Sequence, residues 1–183
     1  MKIKSFAAVF GILCVAVFLT GASSCEEFLE DPEKAMMEET DKTPRYVVTV
    51  HEIIKYKRGA DQLEQDVNSF FGGTVCVNKN PFLHSRDIEK IEMTPRPGNT
   101  DFFDLKITLS SRGQKLWSAM AVLRADNKKL GFLIDGMYYR SIEPAMITEP
   151  DTPVIYLEGP FDPATAKGLT VNSERNFKIY NNK

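Results

Sequence analysis

Between Phe102 and Leu109 apolar and polar residues change places one by one. Phe103, Leu105, Ile107 and Leu109 fall on one side and Asp104, Lys106 and Thr108 on the other, which predicts a strand with one buried face. Ile88 to Met93 alternates in the same way and predicts its antiparallel partner across a turn at Thr94–Thr100. The period then changes. Ser111-Arg-Gly-Gln114 has the form of a capping box with Ser111 as N-cap, and Leu116, Trp117, Met120 and Leu123 follow as one apolar helical stripe. Leu130–Ile134 and Met137–Ile142 flank Asp135-Gly136, a two-residue turn whose twist suits a hairpin. Ser110–Ile142 therefore predicts a helix followed by a hairpin, and the rest of the chain covers or extends that unit.

On the N-terminal side, Arg45–Tyr56 is rich in β-branched and aromatic residues and predicts a strand. Asp61-Gln-Leu-Glu64 fits a second capping box, with Leu63, Val67, Phe70 and Phe71 at helical spacing up to a stop at Gly72-Gly73. Thr74–Val77 predicts a short strand, and Asn78–Asp87 a loop with Phe82 and Leu83 plugging the core. On the C-terminal side, Ala145–Thr148 and Val154–Leu157 predict another strand pair. Asp162-Pro163 opens a short helix from Ala164 to about Val171, weakened by Gly168. Asn172–Lys183 reads as a polar tail, one more short strand or a frayed end. The expected fold class is α+β: a mostly antiparallel sheet with one main helix and one or two short helices packed on it. A body of this length makes one domain, residues 45–183.

Composition changes the picture mainly at the N-terminus. Lys2 and Lys4 precede an uncharged apolar run, Phe6–Leu19, which breaks at Thr20-Gly21 into Ala22-Ser23-Ser24 before Cys25. That is the order of a secretory signal, residues 1–24. It also resembles a bacterial lipoprotein signal, in which the cysteine after the small residues is diacylated and becomes the mature N-terminus; such signals usually have Leu where this chain has Ala22. An ordinary signal-peptidase cut at the same bond and an uncleaved anchor from Ser5 to Ser24 are the other two readings. All three place the body outside the cytoplasm, tethered or released at a membrane. Residues 26–44 then carry eight acids against two lysines, which predicts a solvated acidic tether after the lipidated cysteine.

The formal charge of −2 hides that segment: with −6 on the tether and +2 on the leader, the body from 45 onward carries +2. So small an excess predicts no nucleic-acid partner. The cysteines are Cys14, Cys25 and Cys76, so the body has one thiol and no internal disulfide. With His51 and His84 as the other soft ligands, no structural zinc is expected, and no motif calls for a cofactor. A nucleophilic Cys76 served by His84 or His51 is the enzymatic alternative, a small envelope hydrolase; a small buried thiol between Val75 and Val77 is the plainer expectation. Trp117 is expected to pack on the sheet and Asp135 to serve the turn, leaving no catalytic residues.

One resemblance arises along Phe102–Leu169. Leu109-Ser-Ser-Arg-Gly113, Leu133-Ile-Asp-Gly136, Ser141-Ile-Glu-Pro144 and Glu158-Gly-Pro-Phe-Asp-Pro-Ala164 resemble the turn and cap motifs of the head subdomain in the first periplasmic domain of SecDF, an accessory component of the bacterial Sec translocase. The resemblance covers about a third of the chain. It implies a head-like α+β module detached from the translocase's membrane helices, with a protein partner or unfolded polypeptide as ligand, a part in protein export, and no catalytic residues to transfer. A purely structural surface lipoprotein is the third expectation.

Overall fold

The computed structural model describes residues 42–59, 62–125, 129–143 and 153–182, within a compact unit of Pro44–Lys183. The leader, Cys25 and the acidic tether as far as residue 41 lie outside the described residues. Nine strands and two helices are present there: β1 (Val48–Glu52), β2 (Glu64–Asn68), β3 (Thr74–Asn78), β4 (Leu83–His84), β5 (Ile88–Arg96), β6 (Asn99–Leu109), α1 (Ser111–Ala125), β7 (Leu130–Ile134), β8 (Met137–Ile142), β9 (Val154–Phe161) and α2 (Pro163–Asn181). A single 3-10 turn, Ser85–Asp87, joins β4 to β5. None of the described helices is long and apolar enough to cross a membrane. The α+β class with mostly antiparallel sheet is borne out.

The strands form three groups: β4-β1-β7-β8, β5-β6-β9 and the hairpin β2-β3. The β7–β8 hairpin forms as the Asp-Gly pair predicts, with both turn residues at positive φ, Asp135 at 49° and Gly136 at 78°. Asp135 does more than turn the chain. Its carboxylate accepts from the backbone N–H of Val47 at 2.7 Å and of Tyr46 at 3.1 Å, clamping the entry of β1 onto the hairpin. β5 and β6 pair as the alternation requires, and Leu105, Ile107 and Leu109 are buried.

One core cluster joins the larger sheets and both helices, with Val48, Val50, Leu83, Ile91, Leu105, Trp117, Phe132 and Phe161 among its members. Trp117 and Met120 lie in it, and Leu116 packs against it, as the α1 stripe predicts. The cap is displaced by one residue. Ser110, not Ser111, offers its Oγ to the N–H of Gly113, and its carbonyl accepts from Gln114. The Ser-Ser pair gives either residue the cap chemistry, and the backbone chose the first.

The expected helix from Asp61 to Phe71 is corrected. Glu64–Asn68 is strand β2, paired in register with β3 from Glu64↔Asn78 to Asn68↔Thr74. Gly72 and Gly73 both take positive φ and form the hairpin tip, so the signal read as a helix stop is a turn. Of the expected helical stripe only Val67 is buried, against Val77 and Leu133. Leu63, Phe70 and Phe71 are exposed, so their helical spacing was coincidental.

At the C-terminus one expectation is untested and one is corrected. β9 pairs with β6, from Thr108↔Val154 to Phe103↔Phe161; its expected partner, Ala145–Thr148, lies outside the described residues. The last helix starts at the predicted Asp162 cap, whose Oδ1 accepts from Thr165 N at 2.9 Å, but runs on to Asn181. Gly168 does not end it; the Tyr46 ring packs onto the helix there and leaves no room for a Cβ. The polar residues beyond it are anchors: Ser173 Oγ accepts from Ile91 N at 3.0 Å, and Asn176 bonds both the N–H and the C=O of Arg45.

Candidate functional site

Among the described residues β8 is the last strand of its sheet and β9 the last of the other, and a groove of about 510 Å³ lies between them. Its walls include Arg140 and Ile142 from the β8 side and Tyr156, Glu158 and Gly159 from the β9 side. Lys129 and Glu143 complete the charged rim, giving two cations and two carboxylates. Its nine lining residues include no histidine or cysteine.

The geometry of this groove has local causes. The β7–β8 register shifts by one residue at Phe132/Leu133, where Tyr139 is the additional residue of β8. Tyr139 is buried and stacks on Phe161, with ring centroids 5.4 Å apart and planes 4° from parallel, while its hydroxyl donates to Asp162 Oδ2 at 2.8 Å. Arg140 reaches across to β9: its Nη1 donates to Pro160 O at 3.2 Å, and its guanidinium lies 5.3 Å from the Phe161 ring centre. Burial lowers the Arg140 pKa from its usual value.

β9 also carries extra residues. Three residues of β6, Phe103 to Leu105, lie opposite five of β9, Phe161 back to Leu157. The Asp104 carboxylate secures this bulge by accepting from Gly159 N at 2.6 Å, and a side chain at Gly159 would run into the Phe103 carbonyl. Gly159–Pro160 is cis. Along β9, Tyr156, Glu158 and Pro160 face solvent while Ile155, Leu157, Gly159 and Phe161 face the core.

Among the described residues both walls are strand edges, and that defines what the groove can do chemically. β8 is covered on its outer side at Tyr138, whose carbonyl accepts from Phe70 N at 3.0 Å beside a parallel bridge to Ser69. Among the described residues no ladder continues that cover along Arg140–Ile142, and none pairs the outer edge of β9. Such edges offer backbone donors and acceptors to an added extended chain.

The candidates singled out from sequence lie elsewhere. Cys76 is half-buried on β3 opposite Asp66. Burial, then the Asp66 charge, push its thiol pKa up, away from what a nucleophile needs. The charged groups acting on it are Asp66, Lys57 and Glu64; neither histidine is among them. His51 is buried on β1 with Nδ1 2.7 Å from Asn78 O. His84 caps the 3-10 turn, its Nδ1 accepting from Arg86 N at 3.2 Å, and lies edge-on to Tyr180. The two histidines feel each other's charge. Trp117 is buried and Asp135 clamps β1, so both hold structure. Among the described residues no group of three or more His, Cys, Asp or Glu is placed to hold a metal ion.

The groove residues escaped the sequence reading. The signal was faint but present: Glu158-Gly-Pro-Phe161 stood out as a turn block, whereas nothing local marks Arg140 as reaching another sheet.

The histidines predict a pH dependence. Burial is the first cause lowering both pKa values, helped at His84 by the Arg86 charge and opposed at His51 by its bond to Asn78 O. The unfolded chain, with histidines near 6.5, therefore binds protons that the fold excludes, and stability rises with pH in that window. Their contribution is complete above about pH 6.5 and is lost as pH falls below it toward the folded values. Melting temperatures at pH 7.5 and 5.5 check this, with a lower value expected at 5.5 and a smaller difference in His51→Gln/His84→Gln. Asp162 and Glu92, whose pKa values are lowered, belong to a separate window and lose their contribution only below the ordinary carboxylate range, about pH 4.

No family model matches the chain, and no curated protein matches it. Among solved structures it is similar to SecDF, described as a membrane component that enhances protein export, with a TM-score of 0.47, 14% identity, and 78% of this chain covering 69% of that one. It is also similar to SecDF crystallised in a super-membrane-facing form, with a TM-score of 0.45, 13% identity, and 79% of this chain covering 21% of that one.

Proposed function

We propose that this chain is an envelope lipoprotein held by a diacylated Cys25, facing the periplasm or the cell surface, whose domain binds an extended polypeptide without enzymatic chemistry and so assists protein export. The observation that carries the binding role is the groove between the outer edges of β8 and β9. Two strand edges supply main-chain hydrogen bonding, which is indifferent to sequence and so suits unfolded substrates. The mixed rim of Lys129, Arg140, Glu143 and Glu158 adds polar contacts without committing to one sign of charge. The anchor follows from the order of basic, apolar and small residues before Cys25, and the export role from the turn and cap motifs of residues 102–169.

The test uses the full chain and a reduced, carboxymethylated polypeptide carrying a fluorophore. Anisotropy should report binding that a folded, disulfide-intact form of the same polypeptide does not show. Arg140→Glu combined with Glu158→Arg should weaken it about tenfold, the loss of roughly 1.4 kcal/mol. Equal binding of folded and unfolded probes, or indifference to the double substitution, would remove the groove from the function. Mass spectrometry of the mature N-terminus tests the anchor separately, and an unmodified Cys25 would refute lipidation without touching the binding result.

A further inference from the structure

The connection from β1 to β2 carries a second surface, distinct from the groove. Lys55-Tyr56-Lys57-Arg58 runs along the outside of the β2–β3 hairpin, held by Ile54 N donating to Cys76 O at 2.9 Å. Lys57 Nζ lies 2.6 Å from Asp66 Oδ2, and Arg58 N donates to Glu64 Oε1 at 2.9 Å. At the same end of the hairpin, Lys79 N donates to Leu63 O at 2.8 Å. These bonds bring the segments that carry four cations, Lys55, Lys57, Arg58 and Lys79, to one part of the hairpin, together with two exposed residues with apolar surface. Tyr56 is 75% exposed and Leu63 54%. The nearby carboxylates, Asp66 and Glu64, are bound to Lys57 and to the Arg58 backbone.

We infer that this face docks on the surface of a bilayer containing anionic lipid. A tyrosine has an apolar ring and a polar tip, which suits the headgroup boundary, and long basic side chains place their charge at lipid phosphates while their stems cover apolar surface. Leu63 adds the non-polar contact that charge attraction alone lacks. Four cations against Glu64 and Asp66 leave an excess of two positive charges, which matches a negative lipid surface, where each unpaired basic residue changes partitioning about fivefold. Lys55 already lies over the Tyr56 ring, its Nζ 5.4 Å from the centroid, so the cation and the ring act as one unit. Neither the groove nor lipidation of Cys25 is needed for this contact. Docking here orients the domain on the membrane, whichever segment tethers it.

The test reconstitutes the full chain, as synthesised, in vesicles of phosphatidylcholine alone or with 30 mol% phosphatidylglycerol, on the order of the surface charge that attracts polybasic segments. Trypsin cleavage after Lys55, Lys57 and Arg58 is followed by mass spectrometry. The expected result is cleavage slowed about fivefold or more on the anionic vesicles, restored by 0.5 M salt, roughly the range in which charges are screened beyond a few ångströms. Tyr56→Ser/Lys79→Glu keeps all three cleavage sites and alters only exposed side chains, and it should be cut at the same rate on both vesicles. An unchanged melting temperature shows that this variant is folded. Equal cleavage of the unaltered chain on the two vesicles overturns the inference, as does equal protection in lipid-free solution by polyglutamate, which would assign the face to an acidic protein.

Discussion

Ending the chain after Val171 should unfold the domain. The segment removed is polar enough to read as a tail, yet its residues fill partnerships deep in the fold. Ser173 is the hydrogen-bond partner of Ile91 N on β5, and both residues are buried. Asn176 is buried and acts as a surrogate strand, with Nδ2 donating to Arg45 O at 2.6 Å and Oδ1 accepting from Arg45 N at 3.3 Å. Tyr180 packs on His84 with centroids 4.6 Å apart, and Asn181 donates to Arg86 O at 2.9 Å. Leaving buried backbone groups without partners costs about 1–3 kcal/mol each, before any loss of packing. Against a total stability of roughly 5–15 kcal/mol, losing both anchors and the covering helix is enough to abolish cooperative folding. Near-ultraviolet circular dichroism and urea titration check it, with loss of the fixed aromatic signal and of a sigmoidal transition expected. A cooperative transition at the unaltered midpoint would mean that the segment is dispensable. Asn176→Ala alone should cost about 1–3 kcal/mol, the lower bound of the same effect.

Phe161→Ala should be the most damaging single side-chain truncation, at about 3–5 kcal/mol. Phe161 is fully buried and stands where the two sheets meet. It packs edge-on to Phe132 of β7 at 5.8 Å, face to face with Tyr139 of β8, and beneath the Arg140 guanidinium. Removing the ring opens a cavity whose walls come from different sheets and cannot collapse together. It also takes away the surface that orients Arg140 at the groove. Urea unfolding should show a lower midpoint with an unchanged slope, the mark of lost stability without a change in the surface exposed. Phe161→Leu, which restores most of the volume but neither the stack nor the cation contact, should recover only part of it. A full recovery would show that volume alone matters there.

The strands and helix that could be read ahead were those whose pattern is enforced by a single burial direction. β6 alternates because one face meets the core, and α1 carries a stripe because one side meets the sheet. The β7–β8 turn was legible because Asp-Gly tolerates positive φ where most pairs do not. The β2 segment was misread because four apolar residues happened to fall at helical spacing, and Gly72-Gly73 stops a helix and turns a hairpin equally well. Three of those four residues are exposed, Phe70 and Phe71 with their rings against Tyr139, which no spacing rule reveals. The length of α2 was hidden for the opposite reason: beyond Val171 its buried residues, Ser173 and Asn176, are polar, and their value depends on Ile91 and Arg45, far away in the chain.

The groove shows the same division. Its strand β8 was foreseen, but a groove between two sheet edges exists only once the sheets are placed side by side. The Arg140–Pro160 bond and the Tyr139–Phe161 stack are long-range contacts with no periodic trace.

Sequence by itself determined the α+β class, the Asp135-Gly136 hairpin, the helix starting near Ser110, the Asp162 cap and the expectation of a leader ending at Cys25. All of these rest on interactions spanning a few residues, or on one burial direction repeated along an element. Tertiary structure decided that Glu64–Asn68 is a strand, that the last helix continues to Asn181, that Cys76 sits on β3 opposite Asp66, and that β8 and β9 face each other across a groove. Those outcomes depend on which distant groups satisfy a buried donor or cover an apolar face, and that pairing is made only when the chain is folded.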